Sequence, residues 1–402
     1  MPTYPTYKLG EIAKIYNGNS INAEEKEKKY KGVDGRNYIG TKDIDFECSV
    51  NYNNGVKIPY DEGKFKIAPA ESVLVCAEGG SAGKKSAFIT EDVCFGNKLF
   101  AITNNQGLFD GNYVFYYTRY KRFFDLFKNE LSGLIGGVSS KKFGEIPIPL
   151  PPLATQRAIV TRIETLFAEL DKAVQHLRTA QQQLKTYRQA VLRNAFEGNL
   201  TKEWRNHNHI SHETWEEKEF SSIAEIKSNL VDVADYKDYP HIAPDNIEKE
   251  TGKLLEYHTI AEDGVISGKH RFFAGQILYS KIRPNLSKVI IVDFDGLCSA
   301  DMYPIEAKGN TKFLWYQMLS DRFVDYASNS GSRTVLPKIN QKGLSIIPMK
   351  ICSIEEQNEV VIQIESRLSQ ATASETYIEN ALQQAEALRQ SILKKAFSGE
   401  LV

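Results

Sequence analysis

The sequence predicts an α+β fold. Two similar mixed α/β domains are each followed by a long helix, the two helices pair as an antiparallel coiled coil, and the chain is a pseudo-two-fold internal repeat. Three observations predict this. In the run 156–196, Ile159, Ile163, Leu166, Leu170, Ala173, Leu177, Ala180, Leu184, Tyr187 and Val191 follow a four-three rhythm. That is a heptad seam, and it asks for a partner helix. At an offset of 201 residues, Val360, Ile364, Ala371, Ile378, Ala381, Ala385, Leu388 and Ile392 fall on the same seam, which Arg367 and Ser374 interrupt. The flanks coincide without a gap: Gln156 on Gln357, Arg188 on Arg389, Phe196 on Phe397, Gly198 on Gly399 and Leu200 on Leu401. The boundaries read as 1–152 for the first domain, 153–200 for its helix, 201–350 for the second domain and 351–402 for the last helix.

Composition bounds what such a chain can be. Its 402 residues suffice for two or three domains. No apolar run approaches the roughly 18 residues of a membrane span. The first ten residues lack the charged and apolar regions of a signal peptide. The five cysteines, Cys48, Cys76, Cys94, Cys298 and Cys352, are scattered and lack CxxC spacing, so they read as reduced thiols in a cytoplasmic protein. A net charge of −1 speaks against a protein that coats nucleic acid non-specifically, because such binding is mostly phosphate neutralisation.

Taken in order, Tyr7 to Ile15 reads as a short helix leading into a strand, and Tyr38 to Ile44 as a strand and turn. Ser72-Val-Leu-Val-Cys76 is a compact strand, followed by the loop Glu78-Gly-Gly-Ser-Ala-Gly-Lys-Lys85. Residues 87–90 and 98–102 are further strands. Tyr113, Tyr116, Tyr117, Tyr120, Phe124 and Phe127 lie at helical spacing, so one helix over 112–128 faces a core. A small-residue loop follows at 133–140. The proline run Ile146-Pro-Ile-Pro-Leu-Pro-Pro152 stops the sheet before the long helix, which Thr155 is placed to cap and Gly198 to end. Residues 200–217 read as a polar joint. The second half repeats the frame: His241 to Ile247 matches Tyr38 to Ile44, Gln276 to Ser280 matches the strand at Ser72, Tyr303-Pro-Ile305 matches Phe100-Ala-Ile102, and Trp315-Tyr316 matches Phe115-Tyr116. The loops share almost nothing, a pattern suited to one scaffold reading two different things.

Several chemistries are absent. GxxxxGK[ST] ending at Lys84 would need Gly at 78 and Ser or Thr at 85, where the chain has Glu78 and Lys85. No GxGxxG joins a strand to a helix, and no Asn-Pro-Pro-Tyr or Asp-Pro-Pro-Tyr run marks an amino-methyltransferase. The Asp61-Glu-Gly-Lys64 grouping is of a kind common on surfaces. His207, His209 and His212 sit in the polar joint without cysteine or acidic spacing, so a solvated loop is preferred over a metal site. What remains is loop chemistry suited to DNA. Ser81, Lys84 and Lys85 lie on a glycine-rich backbone, and Lys281, Arg283 and Asn285 occupy the corresponding loop of the second half. Ser139, Lys141 and Lys142 stand opposite Arg333, Lys338 and Asn340 in the second pair of loops. Arg and Lys read guanine O6 and N7, Asn and Gln read adenine, and each good bidentate contact discriminates by roughly 1–3 kcal/mol. Antiparallel pairing follows if both ends of each helix touch a domain. About 42 helical residues span roughly 60 Å, under two turns of B-DNA at roughly 34–36 Å each, so two readers held apart by the helices would leave an unread gap.

At this point the chain resembles the specificity subunit of a type I restriction–modification enzyme. The resemblance rests on Ile146-Pro-Ile-Pro-Leu-Pro-Pro-Leu-Ala-Thr-Gln156, on Ala190-Val-Leu-Arg-Asn-Ala-Phe-Glu-Gly-Asn-Leu200 and on its echo Ser391-Ile-Leu-Lys-Lys-Ala-Phe-Ser-Gly-Glu-Leu401. The order of variable region, helix, variable region, helix covers essentially the whole chain. Two departures stand out: the second proline run is reduced to Ile347-Pro-Met-Lys-Ile351, and the usual Glu before Gln is Thr155 in the first copy but Glu356 in the second. The resemblance implies two target-recognition domains, each reading one half of a bipartite site in double-stranded DNA. It implies a coiled coil that sets the spacer and docks two modification (methyltransferase) subunits, which restriction subunits then join. S-adenosylmethionine, ATP and Mg belong to those partners, and this chain carries no cofactor, metal or catalytic residue of its own. Gln182, Arg188, Gln383 and Arg389 recur in both copies, as pseudo-symmetric docking of two identical subunits requires. The competing reading is a coiled-coil adaptor that binds protein partners only.

Overall fold

The computed structural model describes residues 4–131, 136–329 and 337–402. Contacts gather into two units, Met1–Leu177 with Asn380–Val402, and Arg178–Glu379. The first long helix, Leu153–Phe196, and the second, Ile354–Ser398, each contribute their two halves to different units.

Both units are built on the same sheet. In the first, the strand order is Lys14–Asn17, Leu99–Thr103, Val73–Cys76, Ser86–Phe88, all antiparallel. In the second it is Ala224–Ile226, Met302–Ala307, Ile277–Ser280, Val289–Ile291. A further small sheet in each unit contains one parallel pair, Arg36–Ile39 with Val93–Phe95 and Pro240–Ile242 with Gly296–Cys298. The 3-10 turns after those strands also correspond. Asp43 accepts a bond from the Gly40 N–H at 2.8 Å, and Asn246 accepts one from the Ala243 N–H at 2.7 Å.

Three local expectations are corrected. The aromatic helix is two helices, Gly111–Thr118 and Lys121–Asn129, broken where Tyr120 takes an extended backbone. The break recurs between Thr311–Met318 and Asp321–Asn329. The proline run does not simply stop a sheet: Pro147–Pro149 pairs antiparallel with Thr6–Lys8, an isolated ribbon being a setting that tolerates proline's missing N–H. Thr155 does not cap the long helix, which begins at Leu153 and sends the Thr155 and Gln156 N–H groups to the Pro152 carbonyl.

The seam is also shifted locally. Ala173 is exposed and Tyr187 is 44% exposed, while Val174 and Arg188 turn partly inward. On the second helix Leu388 is 50% exposed, and Leu368, Glu375 and Arg389 take the inward places. The interruptions expected at Arg367 and Ser374 therefore vanish, because the stripe passes one residue later. The two arginines occupy equivalent seam positions. Arg188 grips Glu375 with two bonds of 2.7 Å and donates to Thr372 at 2.8 Å. Arg389 pairs with Asp171, the residue equivalent to Thr372, and lies 4.9 Å over the Phe167 ring. Such side chains cover apolar surface with their stems while their heads find partners.

Each module is held by one end of each long helix. In the first unit the core joins Ile159, Ile163 and Phe167 to Leu393, Ala396 and Phe397 around Tyr113, Tyr117 and Phe123. In the second, Val360, Ile364 and Leu368 meet Leu192, Ala195 and Phe196 around Phe313 and Phe323. Glutamines fix the geometry. Gln156, fully buried, accepts from the Asp110 N–H at 2.9 Å and donates to the Leu108 and Pro151 carbonyls. Gln357 accepts from the Asn310 N–H at 3.0 Å and donates to the Cys352 carbonyl. Asp110 and Asn310 cap the next helix of each module. At the other helix end, Gln390 bridges the Arg119 carbonyl and the Lys121 N–H, and Gln189 does the same for Leu319 and Asp321. Both glutamines therefore sit on the break between the paired module helices.

The joint at 200–217 is not a solvated tether. Lys202–His207 is helical, and Arg205 is buried against Glu356 at 2.5 Å. Thr201 and Trp215 donate to the same carboxylate oxygen. His212 stacks on Trp215 and bonds the Glu197 carbonyl.

Because the buried Gln156 amide serves three main-chain groups, one of those bonds fully buried and two partly so, Gln156→Ala leaves polar atoms without their partner. We expect a loss of about 1–3 kcal/mol, read as a lower urea midpoint; an unchanged midpoint would show that the amide does not anchor the module.

Candidate nucleic-acid interface

The loops singled out by sequence grow from equivalent strands. Val73–Cys76 runs into the loop 77–85, and Ile277–Ser280 runs into 281–287. Each loop is pinned to the second loop of its unit. Glu78 bridges Gly137, and the Gly79 N–H meets the Gly136 carbonyl at 3.0 Å. Ile282 bridges Lys338, and the Arg283 N–H meets the Pro337 carbonyl at 2.8 Å. The structure thus ties the loop that carries Ser81, Lys84 and Lys85 to the segment just ahead of Ser139, Lys141 and Lys142, and the loop that carries Lys281, Arg283 and Asn285 to the one that carries Lys338 and Asn340. Arg333 lies outside the described residues, as do residues 132–135 of the other loop.

The side chains then divide by what they touch. Lys84, Lys141, Arg283 and Asn285 are exposed, with no side-chain partner among the described residues. Ser139 and Asn340 are equivalent helix caps, accepting from the Lys142 N–H at 3.3 Å and the Gly343 N–H at 2.8 Å. Lys142 pairs with Glu130 at 3.6 Å. Lys281 and Lys338 share Asp301, at 3.9 and 3.1 Å. Burial holds the nearby His270 imidazole below its ordinary range, and the charge of Lys281 adds to the effect.

Lys85 has a structural assignment that its sequence neighbourhood hides. Its ammonium donates to the Thr41 carbonyl at 3.4 Å and lies 4.8 Å from the Phe46 ring centre. The equivalent residue is Lys288, which donates to the Pro244 carbonyl at 2.7 Å. Both lysines tie a strand to the 3-10 turn of the neighbouring sheet. Sequence reading passed over Lys288, although the repeat offset of 203 would have paired it with Lys85.

The docking candidates divide in the same way. Gln182 and Gln383 are exposed, whereas Arg188 and Arg389 are engaged within the seam. Conversely, the register places Tyr187 and Leu388, equivalent residues, on the outer face.

Two copies of one frame, with unlike loops and each held by two helix ends, define a duplicated module-and-helix protein. The model of the type I restriction modification DNA specificity domain matches residues 1–177 and 212–384, and the chain belongs to this family. It is 40% identical over 363 residues to the type I restriction enzyme EcoDI specificity subunit of Escherichia coli, spanning 82% of both chains. It is 26% identical over 373 residues to the EcoKI specificity subunit of Escherichia coli strain K12, spanning 84% of this chain and 76% of that one. A solved chain from a study of complex assembly and conformational transition of the type I R–M system shares the fold, with a TM-score of 0.74 at 15% identity over 100% of this chain and 99% of the other.

Lys288→Met should lower stability by about 1.5–3 kcal/mol, the range for a hydrogen bond involving a charged group, and Lys85→Met, whose bond is longer at 3.4 Å, by about 1 kcal/mol or more. Lys84→Met should stay within about 0.5 kcal/mol. Equal denaturation midpoints for Lys85→Met and Lys84→Met would refute the distinction.

Proposed function

We propose that this chain is the non-catalytic, sequence-specific DNA-recognition subunit of a type I restriction–modification complex. The observation that carries it is the repeated frame with unlike basic loops at equivalent places, in a chain of this family. The modules 1–152 and 201–350 each read one half of a bipartite duplex site through the loops 78–85 with 136–142 and 281–287 with 337–340. Lys84, Lys141, Arg283 and Asn285 are available to bases or phosphates as they stand, while Ser81, Ser139, Lys142, Lys281, Lys338 and Asn340 shape the loops or rearrange on binding. Lys85 shapes the frame. The helices 153–200 and 351–402 set the spacer. S-adenosylmethionine, ATP and Mg act in the partner subunits.

Two modification subunits dock on the equivalent outer faces of the long helices, and restriction subunits then join. Gln183 and Tyr187 lie four residues apart on one helix face, as do Gln384 and Leu388 on the other. An exposed apolar side chain with an amide one turn away suits the centre of such a contact. Gln182 and Gln383 lie beside it, and Arg188 and Arg389 position this face through their seam pairs. No helix is long and apolar enough to cross a membrane among the described residues, consistent with work on cytoplasmic DNA.

The test is selection from randomised duplex by the chain assembled with its modification subunits. A bipartite site with an unread gap is expected; recovery of unselected duplex would favour the protein-only adaptor. Inserting one heptad into both long helices adds roughly 10 Å and should lengthen the gap by about 3 base pairs at roughly 3.4 Å each; an unchanged gap removes the spacer role. Tyr187→Glu and Leu388→Glu should each weaken binding of one modification subunit at least roughly tenfold (about 1.4 kcal/mol) with stability kept within about 0.5 kcal/mol. Unchanged stoichiometry and affinity by titration would move the contact elsewhere.

A further inference from the structure

The two loops share a backbone but not the residues that suit it. Gly79 and Gly83 sit in the left-handed region, at φ 79° and 68°. Four residues apart in the second unit, Arg283 and Ser287 lie in the same left-handed region at φ 48° and 46°. The hydrogen bonding matches Arg283 to Gly79. The Gly79 N–H bonds the Gly136 carbonyl and its carbonyl accepts from Ala82; the Arg283 N–H bonds the Pro337 carbonyl and its carbonyl accepts from Leu286. In the left-handed region an L side chain crowds its own carbonyl, so glycine is the residue this turn asks for. An arginine there is an outlier that the fold does not need, and a residue held in such a conformation points to function.

Among the described residues its side chain gives no return to the fold. Arg283 is exposed and its guanidinium has no partner among the described residues. The residue on either side is fixed: Pro284 is buried, and Ile282 is bridged to Lys338. The stem therefore leaves a pinned base, and the planar fork at its end is matched to two acceptors in one plane. In the major groove that pair is guanine O6 and N7.

We propose that Arg283 reads a guanine in the half-site bound by the second unit, and that the chain retains a strained residue at this position for that contact. The inference rests on the DNA-reading function proposed above. It is tested with the full chain assembled with its modification subunits, by selection from randomised duplex alongside thermal unfolding of each variant. The native chain should select guanine at one position of one half-site. Arg283→Gly should lose that preference by roughly five- to 150-fold, the equivalent of about 1–3 kcal/mol, while unfolding at a higher temperature because glycine fits the turn. Ser287→Gly should also unfold higher and leave the selected sequence untouched.

Undiminished guanine selection by Arg283→Gly overturns the proposal. Uniform weakening on all sequences also overturns it, marking a phosphate contact. Earlier unfolding of Arg283→Gly shows that the side chain serves the fold, and loss of the same preference in Ser287→Gly shows that the backbone carries it; either result sinks the proposal. A native assembly that selects no sequence at all refutes the proposed function instead.

Discussion

A helix of 44 residues with a narrow apolar stripe does not stand alone in water, and the organisation of this chain follows from that constraint. Each long helix must cover its stripe along the full length. The partner helix supplies part of the cover, and a module supplies the rest at each end. The stripe widens where it meets a module, to pairs such as Leu192 with Ala195 and Leu393 with Ala396. One turn away along each helix it admits charge, and there Arg188 and Arg389 answer carboxylates on the opposite helix. The helix ends are thus parts of the module cores. Recognition domain and helix are separable in sequence but not in packing.

The frame and the loops obey different physics. Frame positions recur because backbone groups buried in both units need the same partners: Asp110 and Asn310 as caps, Lys85 and Lys288 as ties, Asp43 and Asn246 in the 3-10 turns. Loop side chains such as Lys84, Arg283 and Asn285 meet solvent, and no contact among the described residues selects them. This is why unlike loops such as 78–85 and 281–287 can leave equivalent strands through one shared turn, with Gly79 in one and Arg283 in the other.

Much of this was legible in the sequence. The duplication, the two helices and the correspondence of strands such as Val73–Cys76 and Ile277–Ser280 follow from periodicity and offset, because burial imposes both. The seam was misplaced by one residue at Ala173, Tyr187 and Leu388, because hydrophobicity alone cannot see that an arginine with a carboxylate partner outcompetes a tyrosine for a half-buried place. The ion pair of Arg205 with Glu356 was hidden because its members lie 151 residues apart and look solvated singly. Within the candidate site, the loops were found but their division of labour was not. Lys84 and Lys85 are identical as letters; the Thr41 carbonyl and the Phe46 ring distinguish them.

The glutamines have one property beyond strength. Among the described residues, the side chains of Gln156, Gln357, Gln189 and Gln390 bond main-chain atoms of the modules and helix starts: the N–H groups of Asp110, Asn310, Lys121 and Asp321, and the carbonyls of Leu108, Pro151, Cys352, Arg119 and Leu319. A grip on peptide groups is blind to side-chain identity. Any sequence that keeps the turn keeps these bonds, so substitutions in a module that spare the core it shares with the helix ends leave this part of its mounting intact. The helices act as a chuck that accepts interchangeable bits, and a lineage can change what it reads without redesigning what holds the reader.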